Sequence, residues 1–330
     1  MKLALAMVAP AQCSTPPVGY GGIERVCDIM VRELIELGHT VDLYAGPGST
    51  CPATNLYMSQ SSNLIQGEKE LAEMVKANQD KYNCIIDSGA CHFTSLIIQS
   101  TTPRVALMTG DAYRKYPHNE LLNRIYVSKE YAEEMDAINN PYINNVISKN
   151  PEKDFPLGDG SGGYAAVYST IGVQKGVHIA VKASMIAGLR LKVAGPIQDY
   201  SYWNGWCKAP NVEYIGVITK HEDKIKFLGN ARLLFFMSTC GEGDALTPKE
   251  AMACGTPVVA TPQNGIKSFL EPAINGFYAM FPDIAAQMAW AASSLDRKLV
   301  RQSALEKLDP RPKAIRLASQ CERAFMGAIW

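Results

Sequence analysis

The residues whose types and spacing most invite chemistry lie in Ser238-Thr239-Cys240-Gly241-Glu242-Gly243-Asp244-Ala245-Leu246-Thr247-Pro248-Lys249-Glu250. Two carboxylates, Glu242 and Glu250, stand eight positions apart. Thr247 suits a helix N-cap and Pro248 the first helical position. Glu250 then falls where a carboxylate completes a capping box, so capping alone would account for it. Glu242 differs: it sits in a Gly-flanked loop beyond a buried strand, where no fold requirement asks for an acid. A second candidate is Gly19-Tyr20-Gly21-Gly22, which opens a helix. Glycines let a ligand approach the backbone, and the free N–H groups of a helix start favour an anion. The run is not a dinucleotide fingerprint, because its sixth position is Glu24. A tight strand-to-helix turn with no ligand explains it equally well. The nine cysteines are scattered without a Cys-x-x-Cys pair, so they offer no zinc framework. They read as reduced, mostly buried thiols of a cytoplasmic protein.

The elements that must position these residues alternate along the chain. Leu3–Val8 reads as a buried strand rather than a signal peptide, because a Pro/Gly-rich loop and an amphipathic helix follow at once. In that helix the apolar positions are Ile23, Val26, Cys27, Met30, Val31, Leu34 and Leu37, with Gly38 as its stop. Val41–Ala45 completes a βαβ unit, which implies a parallel sheet. Further strands are predicted at Cys84–Asp87, Val105–Met108 and Arg124–Val127, with a helix at Glu68–Ala77. Turn and linker chemistry fills residues 148–163. A second alternating series follows. Its strands are Ala165–Tyr168, Leu191–Ala194, Val212–Ile215, Leu233–Met237 and Val258–Ala260, and its helices Gly176–Ala187, Glu222–Asn230 and Pro248–Ala253.

The expected architecture is α/β: two Rossmann-like doubly wound domains facing a central cleft. Residues 1–150 form the acceptor-side domain, 151–310 the donor domain, and 311–330 a C-terminal helix that could cross back to the first. In such sheets ligands bind beyond the carboxyl ends of the strands. The 330 residues carry 32 Lys+Arg against 32 Asp+Glu, which argues against a protein built around a nucleic-acid backbone. Residues 1–150 hold 12 basic and 16 acidic side chains, and 151–330 hold 20 and 16, so the second half better suits an anionic ligand. No apolar run approaches the ~20 residues of a membrane span, which leaves only peripheral membrane contact open.

The stretch 238–259 resembles the Glu-x7-Glu segment of glycosyltransferase family 4, the retaining nucleotide-sugar transferases of GT-B fold. It keeps Glu242, Leu246, Thr247, Glu250 and Ala251-Met252-Ala253-Cys254-Gly255-Thr256-Pro257. The resemblance extends to Pro10–Gly48, Lys175-Gly176-Val177-His178, Leu191–Gly195 and Asn211–Gly216. It implies a role for each matched residue. Glu242 would bind hydroxyls of the transferred sugar, and Glu250 the ribose. Amides of Ala245, Leu246 and Thr247 would meet the diphosphate, Lys175 would neutralise the leaving group, and Gly21 and Gly22 would lie close to it. The backbone near Gly216, Val217 and Ile218 would contact the base. Tyr20 and the loop 109–118, with Tyr113, Arg114 and His118, would face the acceptor. The resemblance implies no cofactor and no metal, and a UDP- or GDP-sugar as hexosyl or pentosyl donor.

The sequence departs from that pattern in places. The family's diphosphate arginine falls at Ser169 or Thr170, whose hydroxyls donate hydrogen bonds but carry no charge. Thr170 is retained as a donor-site contact, with Arg114 as a candidate replacement cation. The family's N-domain histidine is absent from Ala106–Tyr113, which leaves Asp111 as the nearest polar candidate for a catalytic role, with His118 and His92 in neighbouring loops. The family's Phe-Gly before Leu is Asp244-Ala245 here. The expectation is therefore a retaining, metal-independent glycosyltransferase acting on a hydroxyl acceptor: a glycan, lipid-linked compound or small molecule rather than a nucleic acid. The alternative is a catalytically impaired GT-B domain that binds a nucleotide or partner without turnover, and an epimerase of the same fold is a third reading.

Overall fold

A computed structural model describes residues 1–19, 21–97, 102–109 and 121–330. Tyr20, Asp111, Tyr113, Arg114 and His118 lie outside the described residues. The chain divides into two compact units, Met1–Lys149 with Asp309–Trp330, and Asn150–Leu308.

The first unit holds β1 (Ala4–Val8), β2 (Thr40–Ala45), β3 (Asn55–Met58), β4 (Cys84–Asp87), β5 (Arg104–Met108) and β6 (Arg124–Tyr126). They form one sheet in the order β3-β2-β1-β4-β5-β6, every pair parallel. Helices α1 (Gly22–Glu36) and α2 (Leu64–Asn78) are the crossovers after β1 and β3. Strands β2 and β4 are almost wholly buried, although Asp42 interrupts the apolar run of β2 and Asp87 ends that of β4. Gly38 ends α1 in the left-handed region at φ 91°, a C′ position that a side chain would strain.

The second unit repeats the plan with β7 (Tyr164–Tyr168), β8 (Arg190–Ala194), β9 (Val212–Gly216), β10 (Leu233–Phe236), β11 (Val258–Ala260) and β12 (Gly276–Tyr278). Their order is β12-β11-β10-β7-β8-β9, again all parallel. Its helices include α3 (Val177–Ile186), α4 (His221–Gly229), α5 (Leu246–Ala253), α6 (Pro282–Ser293) and α7 (Arg297–Leu308). Small side chains let α3 and α6 approach: Ala180 and Ala183 share one core with Ala285, Ala286, Ala289 and Ala292. Arg297 ties this unit together, its guanidinium donating to the carbonyls of Gly158, Ala231 and Gly229 and to the Thr256 hydroxyl at 2.7–3.0 Å.

The last helix, α8 (Pro310–Phe325), is capped by Asp309 and packs on α1, β4 and β5 within the first unit. The indole of Trp330 donates to the Arg124 carbonyl, and its backbone exchanges hydrogen bonds with Asn123. Strands β3 and β12 and helices α6 and α7 were not anticipated from sequence. The two strands lie at sheet edges, where short half-exposed segments carry little hydrophobic signal.

Candidate functional site

In the second sheet the strand order reverses between β7 and β10. These two strands pair only at Ala165–Leu233 and Ala166–Leu234, whereas β7 stays paired with β8 as far as Tyr168. They therefore part toward their carboxyl ends, where open α/β sheets form a ligand crevice. Lys175 lies in the single helical turn Val173–Lys175 that follows β7, and Glu242 lies in the loop that follows β10.

The backbone joins these two segments. Gly176 adopts φ 61°, and a Cβ there would lie 1.9 Å from the Met237 carbonyl oxygen. The Thr239 amide and hydroxyl both donate to the Gln174 carbonyl, at 2.8 and 3.2 Å. On the far side, the Gly265 amide donates to the Glu242 carbonyl at 2.7 Å. A Cβ at Gly265 would meet that oxygen at 2.5 Å, so only glycine lets the two segments lie this close. With its backbone fixed on both sides, the Glu242 carboxylate receives the Lys175 ammonium and a 2.9 Å hydrogen bond from the Ser238 hydroxyl. The Cys240 sulfur is 3.8 Å from the same carboxylate oxygen and 3.9 Å from Lys175 Nζ. Both members of the ion pair keep some exposure, 27% for Lys175 and 17% for Glu242, so a ligand can reach them.

Helix α5 begins at Leu246 with Ala245 as its N-cap, two residues before the expected start at Pro248. Proline is accepted in the first turn because the amides there have no intrahelical partner to lose. The shift undoes the expected capping box: no side chain caps α5, and Glu250 sits more than one turn inside the helix. The Glu250 carboxylate is instead held by Lys224 of α4 at 2.5 Å, with side-chain exposures of only 5% and 8%. A third pair is still deeper. Lys249 Nζ lies 2.6 Å from Asp244 Oδ2, both side chains essentially inaccessible, with the ammonium 5.3 Å from the centre of the Phe269 ring. Burial pulls the Lys249 pKa down, and Asp244 opposes that shift.

Gly216 ends β9 at φ 85° and its carbonyl accepts the Gly195 amide, while Val217 beyond it is exposed. Gly195 presses on the Ser169 carbonyl, which a Cβ would reach at 1.9 Å. Thr170 is buried, and the Ser169 hydroxyl donates to the Thr170 carbonyl. The unit's four arginines are engaged elsewhere: Arg190 pairs with Glu213, Arg232 lies over Trp290, and Arg297 and Arg301 hold backbone carbonyls.

In the first unit, Gly21 is the N-cap of α1 and Gly22 its first residue. A Cβ at Gly21 would meet the Pro17 side chain at 2.6 Å, so its missing side chain makes room for its own loop. His92 is buried, with Nδ1 3.3 Å from Asp87 Oδ1. Nearby, Glu68 accepts the amides of Ala90 and Cys91, and burial raises its pKa to about 8. Among the described residues no group of His, Cys, Asp or Glu could hold a metal ion, and no helix is long and apolar enough to cross a membrane. All nine cysteines are free thiols, Cys13 and Cys240 the only ones not fully buried.

The sequence-predicted residues Lys175 and Glu242 are thus brought into contact. Ala245, Leu246 and Thr247 form the start of α5, Glu250 lies on the same helix, and Thr170, Gly216 and Val217 follow the carboxyl ends of β7 and β9. Sequence reasoning missed Gln174, Ser238, Gly265, Lys224 and the Asp244–Lys249 pair. Of these Ser238, Asp244 and Lys249 lie inside the singled-out stretch with visible polar groups. The others act through contacts between segments far apart in the chain.

Two six-stranded parallel sheets of this order, each flanked by helices, give the chain the GT-B fold. Residues 167–297 match the family model described as glycosyl transferases group 1. No curated protein sequence matches. Among solved structures the chain is similar to AviGT4, a glycosyltransferase involved in avilamycin A biosynthesis, at TM-score 0.79 and 22% identity over 99% of both chains. It is similar to sucrose-phosphate synthase from Thermosynechococcus elongatus, at TM-score 0.77 and 17% identity over 99% of this chain and 100% of that one. It also resembles Anabaena Alr3699/HepE in complex with UDP-glucose, at TM-score 0.71 and 15% identity over 97% and 99% of the two chains.

Proposed function

We propose that the chain is a retaining glycosyltransferase that binds a nucleoside-diphosphate sugar in its second unit and passes the sugar to a hydroxyl acceptor without a metal. The observation that carries this reading is the Lys175–Glu242 pair at the β7/β10 switch point, within the segment that matches the group 1 glycosyltransferase model. A diphosphate needs positive charge and hydrogen-bond donors, and Lys175 with the amides at the start of α5 supplies both. With donor bound, Lys175 turns from Glu242 to the β-phosphate, which frees the Glu242 carboxylate to accept hydroxyls of the sugar. Glu250, fixed by Lys224, receives the ribose hydroxyls, and the backbone at Gly216 and Val217 the base. The bond from the sugar's anomeric carbon to the β-phosphate oxygen breaks and the bond to the acceptor oxygen forms on the same face. The acceptor proton passes to the departing phosphate, so no enzymic nucleophile is needed. Since HepE was solved with UDP-glucose and starch synthase IV with ADP, a UDP-sugar is the first donor to try and an ADP-sugar the second. A GDP-sugar stays in the panel. The acceptor is a glycan, lipid-linked compound or small molecule, and the site of action the cytoplasm.

A second reading is favoured by one specific observation: Thr170 is buried and the unit's arginines are committed elsewhere, so Lys175 stands as the one cation assigned to the leaving group. In that reading the domain binds a nucleotide without turnover. Thermal-shift titration of UDP, ADP, GDP and their sugars against wild type and Glu242→Ala tests the donor site. Selective stabilisation by one nucleotide sugar, weakened in the variant, supports it, and no shift from any of them refutes it. Donor hydrolysis or transfer that disappears in Lys175→Ala then separates catalysis from binding alone.

A further inference from the structure

The Asp244–Lys249 pair has no part in the scheme above, yet it sits against the anion-binding end of α5. Asp244 immediately precedes Ala245, the N-cap, and Lys249 lies in the following turn. Lys249 is placed against the ordinary preference, whereas Asp244 suits the helix start but not one that is to receive a ligand. A helix start carries partial positive charge, so a carboxylate there competes with an incoming anion, and a lysine there is unfavourable. Burying either charge alone is strongly disfavoured. Here they are buried together, 2.6 Å apart, with the ammonium also over Phe269. The resemblance leads one to expect an aromatic residue at position 244, which would leave nothing to neutralise.

We infer that Lys249 is a positioning residue whose task is to neutralise Asp244, so that the amides opening α5 remain open to the donor's diphosphate. The inference rests on the donor-site reading above. It makes an asymmetric prediction that a merely structural pair would not. Removing the lysine leaves an uncompensated carboxylate beside the diphosphate and weakens binding. Removing the carboxylate's charge leaves no anion there and does not.

The experiment measures affinity for UDP, ADP, GDP and inorganic pyrophosphate by calorimetry, for the wild type and for Lys249→Met, Asp244→Asn and the double variant. Thermal unfolding reports how far each variant is folded. For the nucleotide that the wild type binds most tightly, and for pyrophosphate, Lys249→Met is expected to bind at least tenfold more weakly. Asp244→Asn should bind as tightly as wild type or tighter, and the double variant should recover to within about threefold of wild type. The recovery is the readout that general destabilisation would not give. Equal binding by Lys249→Met and wild type overturns the inference alone, as does a tenfold loss in Asp244→Asn. If Lys249→Met does not fold, the Asp244→Asn result decides: affinity kept or raised supports the inference. A wild type that binds neither a nucleoside diphosphate nor pyrophosphate overturns the donor-site reading and this inference together.

Discussion

Two glycines at the ends of α3 allow the price of one close backbone contact to be separated from that of backbone conformation. Gly176, before the helix, and Gly188, after it, have nearly the same φ, 61° and 65°. A Cβ at Gly188 would meet nothing within 4 Å, while one at Gly176 would lie 1.9 Å from the Met237 carbonyl oxygen. Gly188→Ala should therefore cost only the left-handed conformation, about 1 kcal/mol. Gly176→Ala carries the same cost, and in addition the turn must retreat by roughly 1 Å to restore an ordinary contact, which overpacking data put at about 1–3 kcal/mol more. At about 2–4 °C per kcal/mol for a unit of this size, the expected falls in melting temperature are roughly 3 °C for Gly188→Ala and 6–12 °C for Gly176→Ala. Three of the four tryptophans, Trp203, Trp206 and Trp290, lie in the second unit, so tryptophan emission follows its unfolding. Because the retreat moves Lys175 away from Glu242, Gly176→Ala should also weaken binding of the donor nucleotide, while Gly188→Ala should not. Equal destabilisation by the two variants would refute the claim that this contact fixes the Lys175 turn.

Three further outcomes follow from buried charge. Lys224→Met strands the Glu250 carboxylate in a site with 5% exposure, and should cost about 3–5 kcal/mol by urea unfolding. Lys224→Met/Glu250→Leu should recover most of that stability without recovering nucleotide binding. Arg297→Met removes hydrogen bonds to four carbonyls and the Thr256 hydroxyl, and should destabilise the second unit by about 3 kcal/mol or more, with Arg297→Lys only partly restoring it. Burial holds the Glu68 pKa up at about 8 in the folded protein, against an ordinary 4.5 in the unfolded chain. The folded state therefore holds the extra proton between these values, and its contribution is full below about pH 4.5 and lost as pH rises through 8. Unfolding of the first unit should lose stability at up to about 1.4 kcal/mol per pH unit across that window, a slope that Glu68→Gln removes.

How much of this was legible in the sequence depended on how far apart the cooperating residues lie. Cys84–Asp87 and Val258–Ala260 are legible with their observed ends, because strands buried on both faces are nearly continuous apolar runs. Edge strand β3, half-exposed and four residues long, gives no such run. Local preference starts α5 two residues late, because Thr-Pro-x-Glu matches a capping box. The fold instead uses Glu250 as partner to Lys224, 26 positions away, and no local pattern announces such a pair. Glu242 stands out by its place in a Gly-flanked loop, whereas Lys175 stands out only because its motif resembles a known family. Their contact depends on Gly176 and Gln174, which carry no chemistry of their own.

The two sheets share one strand order, so topology alone gives each a switch-point crevice, between β1 and β4 in one unit and between β7 and β10 in the other. What distinguishes them is the fate of the amides at the strand ends. After β4 the chain's own acids take them: Asp87 accepts from Gly89 and Ser95, and Glu68 from Ala90 and Cys91. An anion arriving there would meet carboxyl groups already occupying the donors. After β10 the helix opens with no side-chain cap, and the nearest acid, Asp244, is directed inward onto Lys249. Glu242 is held on Lys175, an interaction a diphosphate can exchange. This difference favours the second unit as the seat of the proposed donor's anionic half, on grounds independent of sequence resemblance. It agrees in sign with the excess of basic residues in 151–330. On the proposed donor reading the three lysine–carboxylate pairs have different tasks: Lys224 fixes Glu250 for hydroxyl groups and Lys249 neutralises Asp244, while Lys175 exchanges Glu242 for the diphosphate.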